Sequence, residues 1–149
     1  MSNIYKNRKA SHEYIFIQIY EAGIVLVGTE IKSIREGKIN FLDSFAKVEN
    51  GEMWLYSLHI SPYEKGNIFN HNATRKRKLL LHHREIMKIG SKVAEQGMTI
   101  VPIEIFINEQ GKCKVKIALA KGKRTYDKRE SLHEKDRQRE TARQIKHEF

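Results

Sequence analysis

The sequence predicts a small, mainly β fold: a six-stranded antiparallel barrel with two or three short helices, followed by a basic C-terminal tail that is disordered when free. Three observations lead there. Six segments rich in β-branched and aromatic residues fall into three pairs joined by short links. Two further segments space their apolar residues as one face of a helix. After Ala120 apolar residues nearly vanish, with only Leu132, Ile145 and Phe149 as large aliphatic or benzyl side chains.

In chain order, Tyr14 to Tyr20 and Ile24 to Thr29 form the first expected strand pair, with Glu21-Ala22-Gly23 as its hairpin link. Glu30 to Glu36 puts Ile31 and Ile34 on one helical face and meets a stop at Gly37. Ser44 to Glu49 and Met53 to Ile60 flank Asn50-Gly51, the strongest short hairpin signal. A long polar loop, Ser61 to Ala73, follows. Leu79 to Glu95 carries Leu79, Leu80, Ile86, Met87, Ile89 and Val93 at helical spacing, with an expected break near Gly90 and an end at Gly97. Thr99 to Ile107 and Lys112 to Leu119 flank Asn108-Glu109-Gln110-Gly111, a third hairpin. Pro102 cannot donate to a ladder, so it fits an edge or a bulge. Closure removes the exposed edges that six short strands otherwise present. An OB-like barrel, plugged and covered by the two helices, is the expected form.

The chain length of 149 residues accommodates one folded domain, residues 1–120, and the tail 121–149. The formal charge is +10. The tail holds ten Lys/Arg against six Asp/Glu, a net +4, which leaves +6 on the domain. So little apolar surface cannot offset the entropy of ordering the tail. A basic tail on a basic domain points to an extended polyanion, RNA first. The single Cys113 fits a reducing compartment. No apolar run approaches the ~18 residues of a membrane span, and the N-terminus is polar. A cytoplasmic protein is expected.

Three body segments concentrate the charge. Lys112, Lys114 and Lys116 alternate with Cys113, Val115, Ile117 and Leu119. Every second strand residue recurs at about 6.8 Å, near the phosphate spacing of a single strand of nucleic acid; a solvated sheet face is the alternative. Arg75-Lys76-Arg77-Lys78 lies before the second helical segment, either a phosphate contact or a solvated loop. Lys6-Asn7-Arg8-Lys9 precedes His12-Glu13-Tyr14 and mixes charge with rings that can stack on an unpaired base, although a lone Tyr14 at a strand start also suits a core. In the tail, Lys135, Arg139, Arg143 and Lys146 align on one side of a helix if a polyanion induces one. Asp127, Glu130 and Glu134 sit near its start, where the helix dipole favours acids.

Enzyme signatures are missing: no paired Cys/His spacing, no His-Glu-x-x-His, no phosphate-cradling glycine loop and no Gly-x-Ser-x-Gly. Carboxylates such as Asp43 and Glu104 are scattered, whereas a metal-dependent nuclease gathers them. A binding protein without cofactor or metal is expected. A small basic nuclease or RNA-modifying enzyme, and a general single-strand-binding module or ribosomal protein, are the alternatives.

Longer motifs sharpen this. Asn7-Arg8-Lys9-Ala10 with His12-Glu13-Tyr14, Glu21-Ala22-Gly23, Gly28-Thr29-Glu30-Ile31-Lys32-Ser33, Arg35 with Gly37-Lys38, Asp43-Ser44-Phe45, Thr74-Arg75 with Arg77-Lys78-Leu79-Leu80-Leu81, and Ala120-Lys121-Gly122-Lys123 through Asp127-Lys128-Arg129 together resemble the small protein B family. These are the bacterial tmRNA-binding (SsrA-binding) proteins of trans-translation, and the resemblance runs from Asn7 to about Arg143. It implies an OB-type barrel that binds the tRNA-like domain of tmRNA, stands in for its missing anticodon arm, and accompanies alanyl-tmRNA to ribosomes stalled on messages lacking a stop codon. The implied RNA-facing positions are Asn7, His12, Tyr14, Glu21 and Leu80. Their neighbours Arg8, Lys9, Glu13, Gly23, Lys32, Arg35, Lys38, Arg75, Arg77, Lys78, Lys114 and Lys116 complete the candidate RNA-binding set.

The resemblance further implies that the tail becomes helical in the empty messenger channel of the small subunit, while Gly122 and Asp127-Lys128-Arg129 approach the rRNA of the decoding centre. The ribosome-facing candidates are Lys121, Gly122, Lys123, Arg124, Tyr126, Asp127, Lys128, Arg129, Lys135, Arg139, Arg143, Ile145 and Lys146. Tyr126 stands where some relatives have histidine, which keeps a ring for stacking but not an imidazolium charge. Gln144-Ile145-Lys146 matches the Ile-Met-Lys run of some relatives only in part. Neither DNA nor a membrane is an expected partner.

Overall fold

The computed structural model describes residues 3–63 and 70–123. The part of the expected loop at residues 64–69 and the tail candidates Arg124, Tyr126, Asp127, Lys128, Arg129, Lys135, Arg139, Arg143, Ile145 and Lys146 lie outside the described residues. The elements are β1 (Ile4–Lys6), α1 (Arg8–Glu13), β2 (Tyr14–Ile24), α2 (Gly28–Arg35), β3 (Ile39–Asn40), β4 (Phe45–Glu49), β5 (Glu52–Tyr56), β6 (His59–Ile60), β7 (Arg77–Leu80), α3 (His83–Gln96), β8 (Thr99–Ile107) and β9 (Cys113–Gly122).

Strands β8, β4, β5, β7, β2 and β9 pair in that order, and β9 pairs back onto β8, closing a six-stranded antiparallel barrel. Strand β1 adds to β8 outside the ring, and β3 with β6 forms a separate two-stranded sheet. Inward residues alternate along the strands, as a filled small barrel requires: Tyr20 and Ala22, Met53 and Leu55, Leu79, Ile100 and Ile105, and Cys113, Val115, Ile117 and Leu119 make one buried core. Ile34 of α2 and Ile86 and Ile89 of α3 join it. Glu30 and Glu85 each reach back from the first turn of their helices to the amides of Val27 and His82, at 2.9 and 3.2 Å, satisfying donors that a helix start leaves free.

The two later hairpins stand as expected. Asn50 and Gly51 both have positive φ, 51° and 77°, the conformation that a two-residue turn needs to follow strand twist. Asn108 closes the β8–β9 turn, its amide donating to the Lys112 carbonyl at 2.9 Å. Pro102 flanks a register shift between Pro102 and Glu104, a bulge as its missing N–H suggested.

The first expected hairpin is not formed. Strand β2 runs unbroken through Glu21-Ala22-Gly23 to Ile24, and Gly28–Arg35 is helix rather than strand end. Ala22 is 1% exposed and lies opposite Val115, so the small residues mark burial. Gly23 marks close approach: a Cβ there would lie 3.3 Å from Leu80 Cβ, and the two residues are register partners.

The sixth barrel strand is instead β7, which joins Arg77 and Lys78 of the basic run to Leu79 and Leu80, the first two residues of the segment expected as the second helix. Helix α3 begins only at His83 and runs through Gly90 without a break. The strand reads as cationic because Arg77, one of its two inward residues with Leu79, is charged and Lys78 follows it. The strand expected over Met53 to Ile60 also divides, with Ser57 at φ 63° between β5 and β6. Strand β9 extends past Leu119 to Gly122, where Lys121 and Gly122 pair with Ile15 and Tyr14. None of the described helices is long and apolar enough to cross a membrane.

Candidate nucleic-acid interface

Residues directly opposite in an antiparallel pair project to the same side of the sheet, so the registers of β1, β8, β9, β2 and β7 define the outer surface. Two cross-strand rows emerge. One runs Lys6, Glu104, Lys116, Glu21. The next runs Ile4, Phe106, Lys114, Gly23, Leu80. Three separate stretches of sequence thus bring the candidates Glu21, Gly23, Leu80, Lys114 and Lys116 onto one face.

The first row alternates in charge, and the Lys116 ammonium lies 3.6 Å from Glu104 and 5.8 Å from the centre of the Phe106 ring. The second row is an apolar shelf crossed by one ammonium group, with Ile4 and Leu80 half exposed. Gly23 keeps the centre of that shelf low. Such a face offers phosphate contacts from Lys114 and Lys116, an acceptor at Glu21 for base amino groups, and flat apolar area for a base or ribose.

The α1 candidates lie at the other end of β2. Tyr14 is seven residues from Glu21, about 23 Å along the strand. A register shift between Phe16 and Gln18 inserts Ile17 as an extra residue. The outward series therefore runs Tyr14, Phe16, Ile19, Glu21, Gly23, changing from even to odd positions at the bulge. Tyr14 and Phe16 pack with Ile103 over Val101, Ala118 and Ala120, a second small apolar cluster on the barrel exterior.

Asn7 is held by the protein itself. Its amide donates to the Pro102 carbonyl at 2.8 Å and its Oδ1 accepts from the Ala10 N–H at 3.3 Å, capping α1 against β8. This positions Arg8, Lys9, His12 and Glu13, all exposed, with Lys9 3.9 Å from Glu13. Lys123 donates to the Ser11 carbonyl at 3.0 Å, tying the end of β9 to α1.

Of the candidates on and just after α2, Arg35 lies beside the β8–β9 turn. The Arg35 guanidinium is 3.8 Å from where a Gly111 Cβ would stand, Lys32 sits 5.5 Å from the centre of the Tyr63 ring, and Lys38 is 3.4 Å from Glu36.

The basic run before α3 divides. Lys78 faces out and pairs with Glu52 at 2.7 Å. Arg77 is fully buried, which removes it from any phosphate-contacting surface. Its Nε donates to Glu30 Oε2 at 2.6 Å, and its remaining nitrogens donate to the carbonyls of Leu58 and Ala73 at 2.7 and 3.1 Å. Arg75 bonds the other Glu30 oxygen at 2.6 Å. Burial by itself pushes the Glu30 carboxyl up, but hydrogen bonds from Arg75, the Val27 amide and Arg77, with the Arg77 charge, outweigh it and hold it below its ordinary value. Burial also lowers the Arg77 value, opposed by Glu30.

Several surface residues lie outside the candidate RNA-binding set, Lys6 and Lys76 among them although both belong to basic runs read in the sequence. Lys6, Glu104 and Phe106 join the rows only through register. Lys76 lies 4.5 Å from the Trp54 ring centre and 3.3 Å from Glu49, whose carboxyl also accepts from the Tyr56 hydroxyl. That hydroxyl bond is the main cause holding Glu49 below its ordinary value. Among the described residues no group of three or more His, Cys, Asp or Glu is placed to hold a metal ion.

Comparison with known proteins follows the same line. The family model described as "SmpB protein" matches residues 4–147. The SsrA-binding protein of Moorella thermoacetica is 53% identical over 140 residues, 94% of this chain and 90% of its own length. That of Fervidobacterium nodosum is 52% identical over 147 residues, 99% of both chains. A solved structure described as "tmRNA-SmpB: a journey to the center of the bacterial ribosome" superposes with a TM-score of 0.70 at 50% identity, covering 81% of this chain and 85% of the other.

Proposed function

Because the chain belongs to the SmpB family, whose model spans nearly its whole length, we propose that it is a cytoplasmic RNA-binding adaptor without chemistry of its own. The barrel binds the tRNA-like domain of tmRNA, and the tail carries the complex onto stalled ribosomes by occupying the empty messenger channel.

The observation that carries the barrel half is the outer face of β7, β2 and β9. There Leu80, Gly23, Glu21, Lys114 and Lys116, positions nominated from separate motifs, meet through strand register. The α1 cluster lies on the same face at its far end, so the surface suits an RNA fold longer than a single nucleotide pair. Phosphate contacts release counterions, so affinity falls steeply with salt. The tail half rests on family membership and on a net charge of +4 in the last 29 residues.

The test is competition binding at physiological salt, with labelled tRNA-like domain of tmRNA challenged by excess tRNA and by poly(U). Retained binding supports the adaptor. Displacement by both competitors makes the protein a general RNA-binding barrel. A chain ending at Lys123, which keeps β9 and the Lys123–Ser11 bond, should retain RNA binding and lose tagging of stalled nascent chains.

A further inference from the structure

A groove of about 850 Å³ opens beside α1, at the place where β8 changes neighbour. Its first half pairs with β4 at Ala46↔Ile100, and its second half pairs with β1 from Glu104 onward. Between the diverging β1 and β4 the sheet is open, and the turn 39–45 forms the opposite wall. The volume is that of a small-ligand site.

Its chemistry is mixed in a particular way. Lys6, Arg8 and Lys9 stand along one side, Tyr14 and Phe45 supply rings, and Asp43 stands on the turn. Phe45 stacks on Tyr56 at 5.2 Å with the rings 11° apart and is still 37% exposed. The turn is braced from within: the Ser44 amide and hydroxyl both donate to the Phe41 carbonyl at 2.9 and 2.6 Å, and the Leu42 amide donates to Asn40 Oδ1 at 2.8 Å. The Asp43 carboxylate has no hydrogen bond or ion pair among the described residues.

We propose that this groove takes an extruded guanine nucleotide of a bound RNA. The inference rests on the RNA-binding reading above and names what that RNA presents at α1. An ionised carboxylate only accepts hydrogen bonds, through two oxygens. Guanine offers two parallel donors, N1–H and the N2 amino group, on its Watson–Crick edge. Adenine and cytosine set a ring acceptor beside their amino group, and uracil flanks its single N–H with two carbonyls, so each of them points a lone pair at one carboxylate oxygen. The Tyr14 and Phe45 rings provide stacking area of the kind unpaired bases use. The basic side takes the flanking phosphates, a contact that carries affinity but no base preference.

The experiment uses the full chain and three RNA pentamers, UUGUU, UUIUU and UUUUU, read by fluorescence anisotropy at fixed salt. Inosine keeps N1–H and lacks the N2 amino group. The guanosine pentamer is expected to bind about 10-fold more tightly than the uridine pentamer, with inosine between them. Asn is a side chain that tolerates the left-handed conformation of Asp43, φ 62°, so D43N tests the carboxylate with the turn kept, and an unchanged Tm checks this. D43N should bind the guanosine pentamer no better than the uridine one. Equal binding of all three pentamers by the wild-type chain, or guanosine preference intact in D43N, overturns the proposal. If the tRNA-like domain is bound selectively while guanosine preference is missing, the groove inference fails and the adaptor reading stands. If guanosine preference is lost in D43N while the domain shows no selectivity, the reverse holds.

Discussion

Substituting Glu30 by Gln tests how this fold tolerates arginines in its interior. Glu30 and Arg77 are both fully buried, and the carboxylate bonds Arg75, Arg77 and the Val27 amide together. Gln keeps the volume, removes the negative charge and supplies one acceptor oxygen where two served four N–H donors from three residues. The loss is that of breaking a buried pair and stranding its partner, about 3–5 kcal/mol, a large share of the roughly 5–15 kcal/mol that holds a domain together. At ~3–5 °C per kcal/mol for a chain of this size, the melting temperature should fall by roughly 10–20 °C.

Urea unfolding followed by the single tryptophan, Trp54, measures it. Since the penalty comes from stranding Arg77, Glu30→Gln combined with Arg77→Met should be more stable than Glu30→Gln alone. The pH dependence has a fixed sign. Glu30 is held below its ordinary value in the folded state, so its contribution is complete above the unfolded pKa of about 4.3 and is lost as pH falls through the folded value. Acid destabilisation should therefore be shallower in Glu30→Gln. A loss below about 1 kcal/mol, or strict additivity of the two substitutions, would refute the reasoning.

Other expectations concern the binding face and the core. Lys114→Ala and Lys116→Ala should each weaken binding to the tRNA-like domain and lower the slope of log affinity against log salt by about 1, with melting temperatures near wild type; unchanged slopes would take them off the phosphate path. Glu21→Ala, at an exposed position, should weaken that binding with stability within about 0.5 kcal/mol, and unchanged affinity in the folded variant would remove Glu21 from the site. Gly23→Ala should weaken it too, because the new methyl meets Leu80 Cβ at 3.3 Å and must push the shelf apart; wild-type affinity would show that the shelf adapts. Burial pushes the Cys113 thiol up to about 12, so alkylation at pH 8 should proceed only through unfolding, and rapid labelling of native protein would contradict its place in the core.

The sequence alone determined what depends on local chemistry. Asn50-Gly51 specifies its turn because few residue pairs accept two successive positive φ angles. The alternation of Lys114 and Lys116 with Cys113, Val115 and Ile117 specifies which side of β9 is wet. The loss of apolar residues after Ala120 and the charge specify a basic end, and long motifs specified the family. Only the tertiary structure decided what depends on distant partners. Glu21-Ala22-Gly23 has the small residues of a turn, and nothing nearby tells that Ala22 is filling a core or that Gly23 is making room for Leu80. Arg77 reads as one cation in a run of four until Glu30, 47 positions away, meets it inside the barrel.

Period two places Tyr14 and Glu21 on opposite faces, and the extra residue at Ile17 brings them onto one. The bulge at Pro102 was marked by its missing N–H, but the one in β2 has neither proline nor glycine between Phe16 and Gln18, so nothing in that strand read by itself shows the mismatch. Face and register are properties of pairs, and pairs exist only once the barrel has closed.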